Sequence, residues 1–273
     1  MSLFCCPICG GALTRGEKSY LCPIGHCYDI AREGYVHLLP ANQKHSKDPG
    51  DDRAMVAGRT RFLDGGYYAP LRDVLCRLAV KYTEKFPCIL DSGCGEGYYT
   101  QGVADALSAA GRHPKIAGVD LSKSALRHAA RRTQAAEFAA ASVYHLPVGA
   151  GTTDLIINCF SPLAPEEFLR VLKPGGKFLY VVPAPRHLWQ LKEVLYETPY
   201  ENPLSESVYE GFFLLSTTEV AGKIHLADGE AIGDLFQMTP YFWKTPKEGA
   251  QRLLALDALD TEIAFRVFAF EKK

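Results

Sequence analysis

No stretch of this 273-residue chain approaches the roughly 18 consecutive apolar residues of a membrane span, and Met1-Ser-Leu-Phe-Cys-Cys lacks the basic start and apolar run of a secretory leader. A membrane is therefore not expected as a partner, and a cytoplasmic location is. An excess of charge of one sign is also missing: 30 Lys and Arg stand against 31 Asp and Glu, a net charge of −1, so no chain-wide basic footprint announces nucleic acid. Any RNA contact has to be local. Candidate patches are Lys44, His45, Lys47, Arg53, Arg59 and Arg61, and a second set of Arg112, Lys115, Lys123, Arg127, Arg131 and Arg132, whose plainer reading is a solvated helix face. Internal repeats are absent. The nine cysteines are an odd number in a chain without an export signal, which argues against a disulfide framework and for reduced thiols. Of these, Cys76, Cys88, Cys94 and Cys159 are scattered and read as small core hydrophobes.

Hydrophobic residues make up 47% and charged residues 22%, ample apolar material for a globular core. The length suits one α/β domain of about 200 residues with a small accessory module. Residues 1–40 hold short strand candidates at Ser19–Leu21, Cys27–Ile30 and Tyr35–Leu39 but too few apolar residues for a core of their own. Residues 41–66 read as a linker and connecting helix, with a helix start at Asp51-Asp-Arg-Ala54 that has an acidic first turn. From 67 to 273 the pattern alternates. Strand candidates at 88–91, 116–120, 154–158 and 177–182 are separated by helical spacing at 70–79, 98–107, 122–132 and 165–172. That alternation implies a mostly parallel sheet with right-handed crossovers. Further helices are expected at 188–195 and 230–237, and Thr261–Phe270 could add an antiparallel strand.

Two constellations carry chemistry. The first is Cys6-Pro-Ile-Cys9 with Cys22-Pro-Ile-Gly-His26, two close pairs of N/S donors on tight turns, as a tetrahedral zinc site requires. Cys5 could replace Cys6, and Cys27 could replace His26. Four protein ligands leave no open position, so a zinc ion here would be structural. The second is the run Ile89-Leu-Asp91-Ser-Gly93-Cys-Gly95-Glu-Gly97, a glycine turn between strand and helix where a cofactor can approach the backbone. A dinucleotide fingerprint would need glycine at 98, where Tyr98 stands. Asp-x-Gly-x-Gly-x-Gly instead resembles motif I of the S-adenosylmethionine-dependent methyltransferases, and Asp120 lies where that superfamily places the carboxylate for the ribose hydroxyls. An acidic adenine contact is missing from Ala139–Val143, where Ser142 is the nearest polar residue, and Asn158–Pro162 should face substrate.

Cys-Pro-Ile-Cys, Cys-Pro-Ile-Gly-His, Ala31–Pro40, Asp48–Asp51, Arg61–Tyr68, Leu90–Thr100 and Pro185–Leu188 together resemble the bacterial RlmA (RrmA) family. The resemblance covers nearly the whole chain and implies a Rossmann-type class I methyltransferase sheet with a small N-terminal zinc-binding, RNA-recognition module. It implies methylation of N1 of a guanine in a hairpin of 23S rRNA with S-adenosylmethionine, often by a homodimer. Carried over by motif, cofactor contacts fall on Tyr68, Tyr99, Thr100 and His187, beside Asp91, Gly93, Gly95 and Asp120 of the superfamily pattern. Asn158-Cys-Phe-Ser-Pro162 leans toward the branch linked to macrolide resistance. His187 is also a candidate base by residue type, and Tyr67, Phe160 and Trp189 are candidates for holding an extruded base. The rivals are a small-molecule methyltransferase and a ribosome-assembly factor that binds the cofactor without turnover.

Overall fold

The computed structural model describes residues 2–40, 50–204 and 208–273. Strands β1 (Thr14–Arg15), β2 (Ser19–Leu21) and β3 (Cys27–Asp29) pair antiparallel into a small sheet. The next strand, β4 (Tyr35–His37), leaves it and pairs parallel with the edge of a much larger sheet. That sheet adds β5 (Cys88–Ser92), β6 (Lys115–Asp120), β7 (Ala136–Ala140), β8 (Thr153–Cys159), β9 (Leu172–Pro183), β10 (Phe212–Leu226) and β11 (Leu259–Lys272), in the order β10-β11-β9-β8-β5-β6-β7-β4. Helices are α1 (Arg53–Asp64), α2 (Ala69–Tyr82), α3 (Tyr98–Ala109), α4 (Lys123–Arg132), α5 (Pro165–Val171), α6 (Trp189–Leu195), α7 (Gly229–Gln237), α8 (Tyr241–Lys244) and α9 (Lys247–Leu254). Among the described residues no helix is long and apolar enough to cross a membrane.

Strands β4 to β9 pair parallel, and β11 joins β9 antiparallel, as its β-rich composition suggested. Strand order reverses at β5, which has β6 on one side and β8 on the other. A ligand crevice is expected outside the carboxyl ends of these strands. Local chemistry sets the helix starts that border it: Ser122 Oγ accepts from Ala125 N at the head of α4, and Asp52 Oδ1 accepts from Met55 N at 2.9 Å at the head of α1. The acidic pair Asp51-Asp52 thus precedes α1 and caps it, instead of occupying its first turn.

The sheet is covered on both faces. On one, Ile89, Ile157 and Leu179 pack with Leu71 and Leu75 of α2, Val103 and Leu107 of α3 and Leu126 of α4. On the other, Leu90, Ala117, Val119 and Ile156 pack with Phe168 and Val171 of α5 and with Phe4, Leu13 and Tyr20 from the N-terminal module. Residues 141–152 join β7 to β8 without a helix. A parallel sheet needs such a crossover to bury its face. Here the N-terminal module takes the place: Phe4 bridges Val148, and the Cys5 N–H donates to Pro147 O at 2.7 Å. Its apolar residues and those of the sheet form one continuous core.

Strand β10 has no counterpart in the hydrophobic pattern. It is an edge strand with a mostly exposed side-chain pattern and Gly222 in its interior, and its long antiparallel register with β11, rather than burial, holds it in place. Helices α8 and α9, four and eight residues long, were likewise unsignalled.

Candidate functional site

The N-terminal donors meet in one cluster. Cys6 Sγ, Cys9 Sγ, Cys22 Sγ and a His26 ring nitrogen all lie within 4.8 Å of one another, and neither Cys5 nor Cys27 is among them. Cys9 and Cys22 sulfurs are 3.7 Å apart, and His26 Nδ1 is 3.4 Å from both Cys6 and Cys22 sulfurs. A tetrahedral zinc with bonds of about 2.3 Å to sulfur and about 2.05 Å to nitrogen has edges of about 3.8 Å between sulfurs and about 3.5 Å from sulfur to nitrogen. The donor set fits zinc. Burial raises the Cys6 thiol, but hydrogen bonds from the Tyr28 hydroxyl and the Cys9 and Ile8 amides outweigh it and bring it down to about 6. Tyr28 Oη is 3.0 Å from Cys6 Sγ, and the His26 N–H donates to Cys22 Sγ at 3.2 Å, contacts that orient the donors.

At the carboxyl ends of β5 and β6 the glycine turn closes on two carboxylates. Thr100 Oγ1 donates to Asp91 Oδ2 at 2.5 Å, while the Gly95 and Ser122 amides donate to the two oxygens of Asp120 at 2.9 and 2.8 Å. Gly93 has φ +82, and a Cβ there would meet Ser161 Oγ at 2.0 Å. Gly97 has φ +83, and a Cβ would press on the α4 backbone at Ala129, 3.0 Å away. Only glycine satisfies both positions. Burial pushes the Asp91 carboxyl up to about 7, the Thr100 hydrogen bond opposing and the charges of Asp120 and Glu96 adding to the rise. Burial likewise raises Glu96 and Asp120. Arg59 of α1 reaches over this acidic turn, paired with Asp51 at 2.5 Å and close enough to Glu96 and Asp120 to feel both charges. An acidic cradle fits S-adenosylmethionine, in which sulfonium and ammonium outweigh one carboxylate. Tyr99 Oη and Ser92 Oγ are buried here without a hydrogen-bond partner.

Beside the turn, Tyr68 Oη lies 3.3 Å from His187 Nε2. His187 Nδ1 accepts the Ala264 N–H at 3.2 Å, so the neutral ring carries its proton on Nε2 and donates it to Tyr68. Burial, with the charge of Lys192, lowers His187 to about 3. His187 is thus a fixed donor, and its Nε2 cannot take a proton from a substrate. Buried Lys192 donates to Tyr200 O and Asn202 Oδ1, and Asn202 in turn holds Ala184 O and Pro185 O, bracing the turn that carries His187. The two non-glycine residues with left-handed backbone among those described are Phe160 (φ 55), whose ring is 6.5 Å from that of Tyr68, and Leu188 (φ 57), next to His187.

The structure therefore brings Tyr68, Asp91, Gly93, Gly95, Tyr99, Thr100, Asp120 and His187 to one end of the sheet, as three hydrogen-bonded pairs and their neighbours. The basic candidates fare differently. Arg61 makes a two-pronged pair with Asp234, Arg112 binds Thr83 O and Val80 O, Arg132 holds Asp64 and Glu96 O, and Arg127 and Arg131 face Glu33. Lys44, His45 and Lys47 lie outside the described residues. Arg59, placed in a basic patch by the sequence pattern, belongs to the acidic turn; its only signal was adjacency to Asp51, eight residues earlier, across a helix start.

Comparison with known proteins places these features in a family. Residues 4–47 match a family model described as RlmA, N-terminal, of the zinc-ribbon type, and residues 89–176 match a methyltransferase domain model. The chain is 33% identical over 262 residues to the 23S rRNA (guanine(748)-N(1))-methyltransferase of Streptomyces fradiae, covering 93% of this chain and 91% of that protein. It is 29% identical over 272 residues to Bacillus subtilis YxjB, which carries a 23S rRNA (guanine-N(1)-)-methyltransferase name, covering 96% of this chain and 94% of that protein. With the zinc-spaced cluster, the glycine turn and the switch point all in register with those matches, this chain belongs to the RlmA family of S-adenosylmethionine-dependent 23S rRNA (guanine-N1-)-methyltransferases.

Proposed function

We propose that the chain methylates N1 of a guanine in a 23S rRNA hairpin, at the position numbered 748 in the name of its Streptomyces fradiae relative. The observation that carries this reading is the acidic glycine turn at the β5 switch point, built on the same chain as a four-donor metal cluster. Bound there, S-adenosylmethionine supplies an electrophilic methyl group. Asp120 would accept the ribose hydroxyls, and Asp91, Gly93, Gly95, Tyr99 and Thr100 would hold the rest of the cofactor. Tyr68, fed by the His187 proton, keeps its own hydroxyl proton free to donate toward the ligand. Transfer then depends chiefly on aligning the guanine with the methyl group, with the N1 proton lost to solvent before or during transfer. Cys6, Cys9, Cys22 and His26 are the ligands of a structural Zn2+ in this reading.

A cytoplasmic location and a homodimer belong to the same reading, the latter testable by sedimentation velocity. For the activity, labelled S-adenosylmethionine is incubated with unmodified 23S rRNA and the product mapped by reverse-transcription arrest. The expected outcome is one arrest site at a guanine of the hairpin. Absence of label in ribosomal RNA, with label in a metabolite, overturns the proposal in favour of a small-molecule enzyme.

A further inference from the structure

We propose that Phe160 is the platform on which the extruded target guanine stacks, an inference that rests on the rRNA methylation proposed above. A purine taken out of its stack needs an aromatic face to replace the neighbours it has lost. Tyr67, Phe160 and Trp189 are the candidate rings, and their surroundings separate them. Tyr67 has one face stacked on Phe62 at 4.7 Å and 26°. Trp189 has one face covered by the Arg186 guanidinium at 4.3 Å, and its Nε1 is committed to Glu193. Phe160 is 47% exposed, at the carboxyl end of β8 beside the glycine turn.

Its backbone supports the same assignment. Phe160 has φ +55, a left-handed conformation that a bulky side chain disfavours and that persists only where the surroundings impose it. Asn158 supports it: its buried Nδ2 donates to Pro162 O at 3.1 Å, spanning the Phe160-Ser161 turn, and to Ser92 O at 3.3 Å, tying that turn to β5. Ser161 closes against Gly93, so the turn cannot move without the cofactor loop. Phe265, at 5.5 Å, and Tyr68, at 6.5 Å, back the ring from within. The chain thus holds an apolar ring half-exposed on a strained backbone, one residue beyond the strand that borders the proposed reacting centre.

The test uses the intact, zinc-loaded chain with Phe160→Gly and Phe160→Tyr, and 23S rRNA as substrate. Glycine removes the ring and relaxes the left-handed backbone. Single-turnover methylation by Phe160→Gly is expected to fall about tenfold to a hundredfold, the range of one lost base–aromatic stack, while its Kd for S-adenosylmethionine and its melting temperature hold. Phe160→Tyr, which keeps the ring face, is expected to recover most of the rate. With the target guanine replaced by 2-aminopurine, the wild-type chain is expected to alter its fluorescence on binding and Phe160→Gly not to. A normal rate for Phe160→Gly overturns the inference, as does a loss of rate matched by losses of cofactor affinity and melting temperature. Failure of the wild-type chain to methylate rRNA is a different result and overturns the functional reading itself.

Discussion

Asp91→Asn is expected to stabilise the cofactor-free protein increasingly as pH rises while weakening its hold on the cofactor. Asp91 is buried, and its carboxyl is pushed from the ordinary 3.8 to about 7 by burial, against the Thr100 hydrogen bond and with repulsion from Asp120 and Glu96. With the folded value raised, the folded chain keeps a proton that the unfolded chain releases. Asp91 therefore costs nothing below 3.8, and stability is lost progressively as pH rises to about 7, beyond which the loss is constant. At 1.36 kcal/mol per unit the penalty is roughly 1 to 2 kcal/mol at pH 5 and about 3 kcal/mol more at pH 8. Asparagine is neutral throughout and its Oδ1 can still accept from Thr100, so the variant should gain about 3 kcal/mol on wild type between those two pH values. Paired urea unfolding of wild type and variant at pH 5 and pH 8 measures this, because zinc and the titrating groups remote from Asp91 enter both curves alike. Parallel pH dependence in the two proteins, or a variant advantage that shrinks at pH 8, would refute the reasoning. Added S-adenosylmethionine should stabilise wild type and have little effect on the variant.

Cys22→Ser should reduce bound zinc from about one per chain to near zero, since a structural site with one ligand missing loses most of its affinity. Because the module covers a face of the large sheet, hydrogen exchange should accelerate in residues 2–40 and also in β4 and β7; unchanged protection there would contradict the shared core. His187→Gln, which keeps a donor in the place of Nε2, should retain far more activity than His187→Ala, and neither should remove an ionisation near 6.5 from the rate profile. Loss of such an ionisation in both variants would restore His187 as a base.

What could be read without coordinates is short-ranged. Cys6 and Cys9, Cys22 and His26, and the turn from Asp91 to Gly97 are each contained within a few residues, where ligand spacing and glycine backbone freedom leave few alternatives. Asp120 was placed by counting one strand onward, and the alternation of strand and helix sufficed for the parallel strands β5, β6, β8 and β9 but not for β7. Strand β10 escaped because an exposed edge strand is held by pairing, which leaves no apolar periodicity to read.

The remaining features depend on residues far apart in the chain. The metal module covers a sheet face left bare by the helix-free 141–152 crossover. Arg59 is a counter-ion of the acidic glycine turn, although its neighbourhood in sequence is basic. The Ala264 amide, 77 residues from His187, decides which ring nitrogen carries the proton. Phe160 is singled out from Tyr67 and Trp189 by what covers the other two rings. Sequence alone determined the ligand types and the local turns that present them, because these obey short-range covalent geometry; which groups meet, which are buried and which stay open was decided by packing both faces of one sheet, which no local pattern encodes.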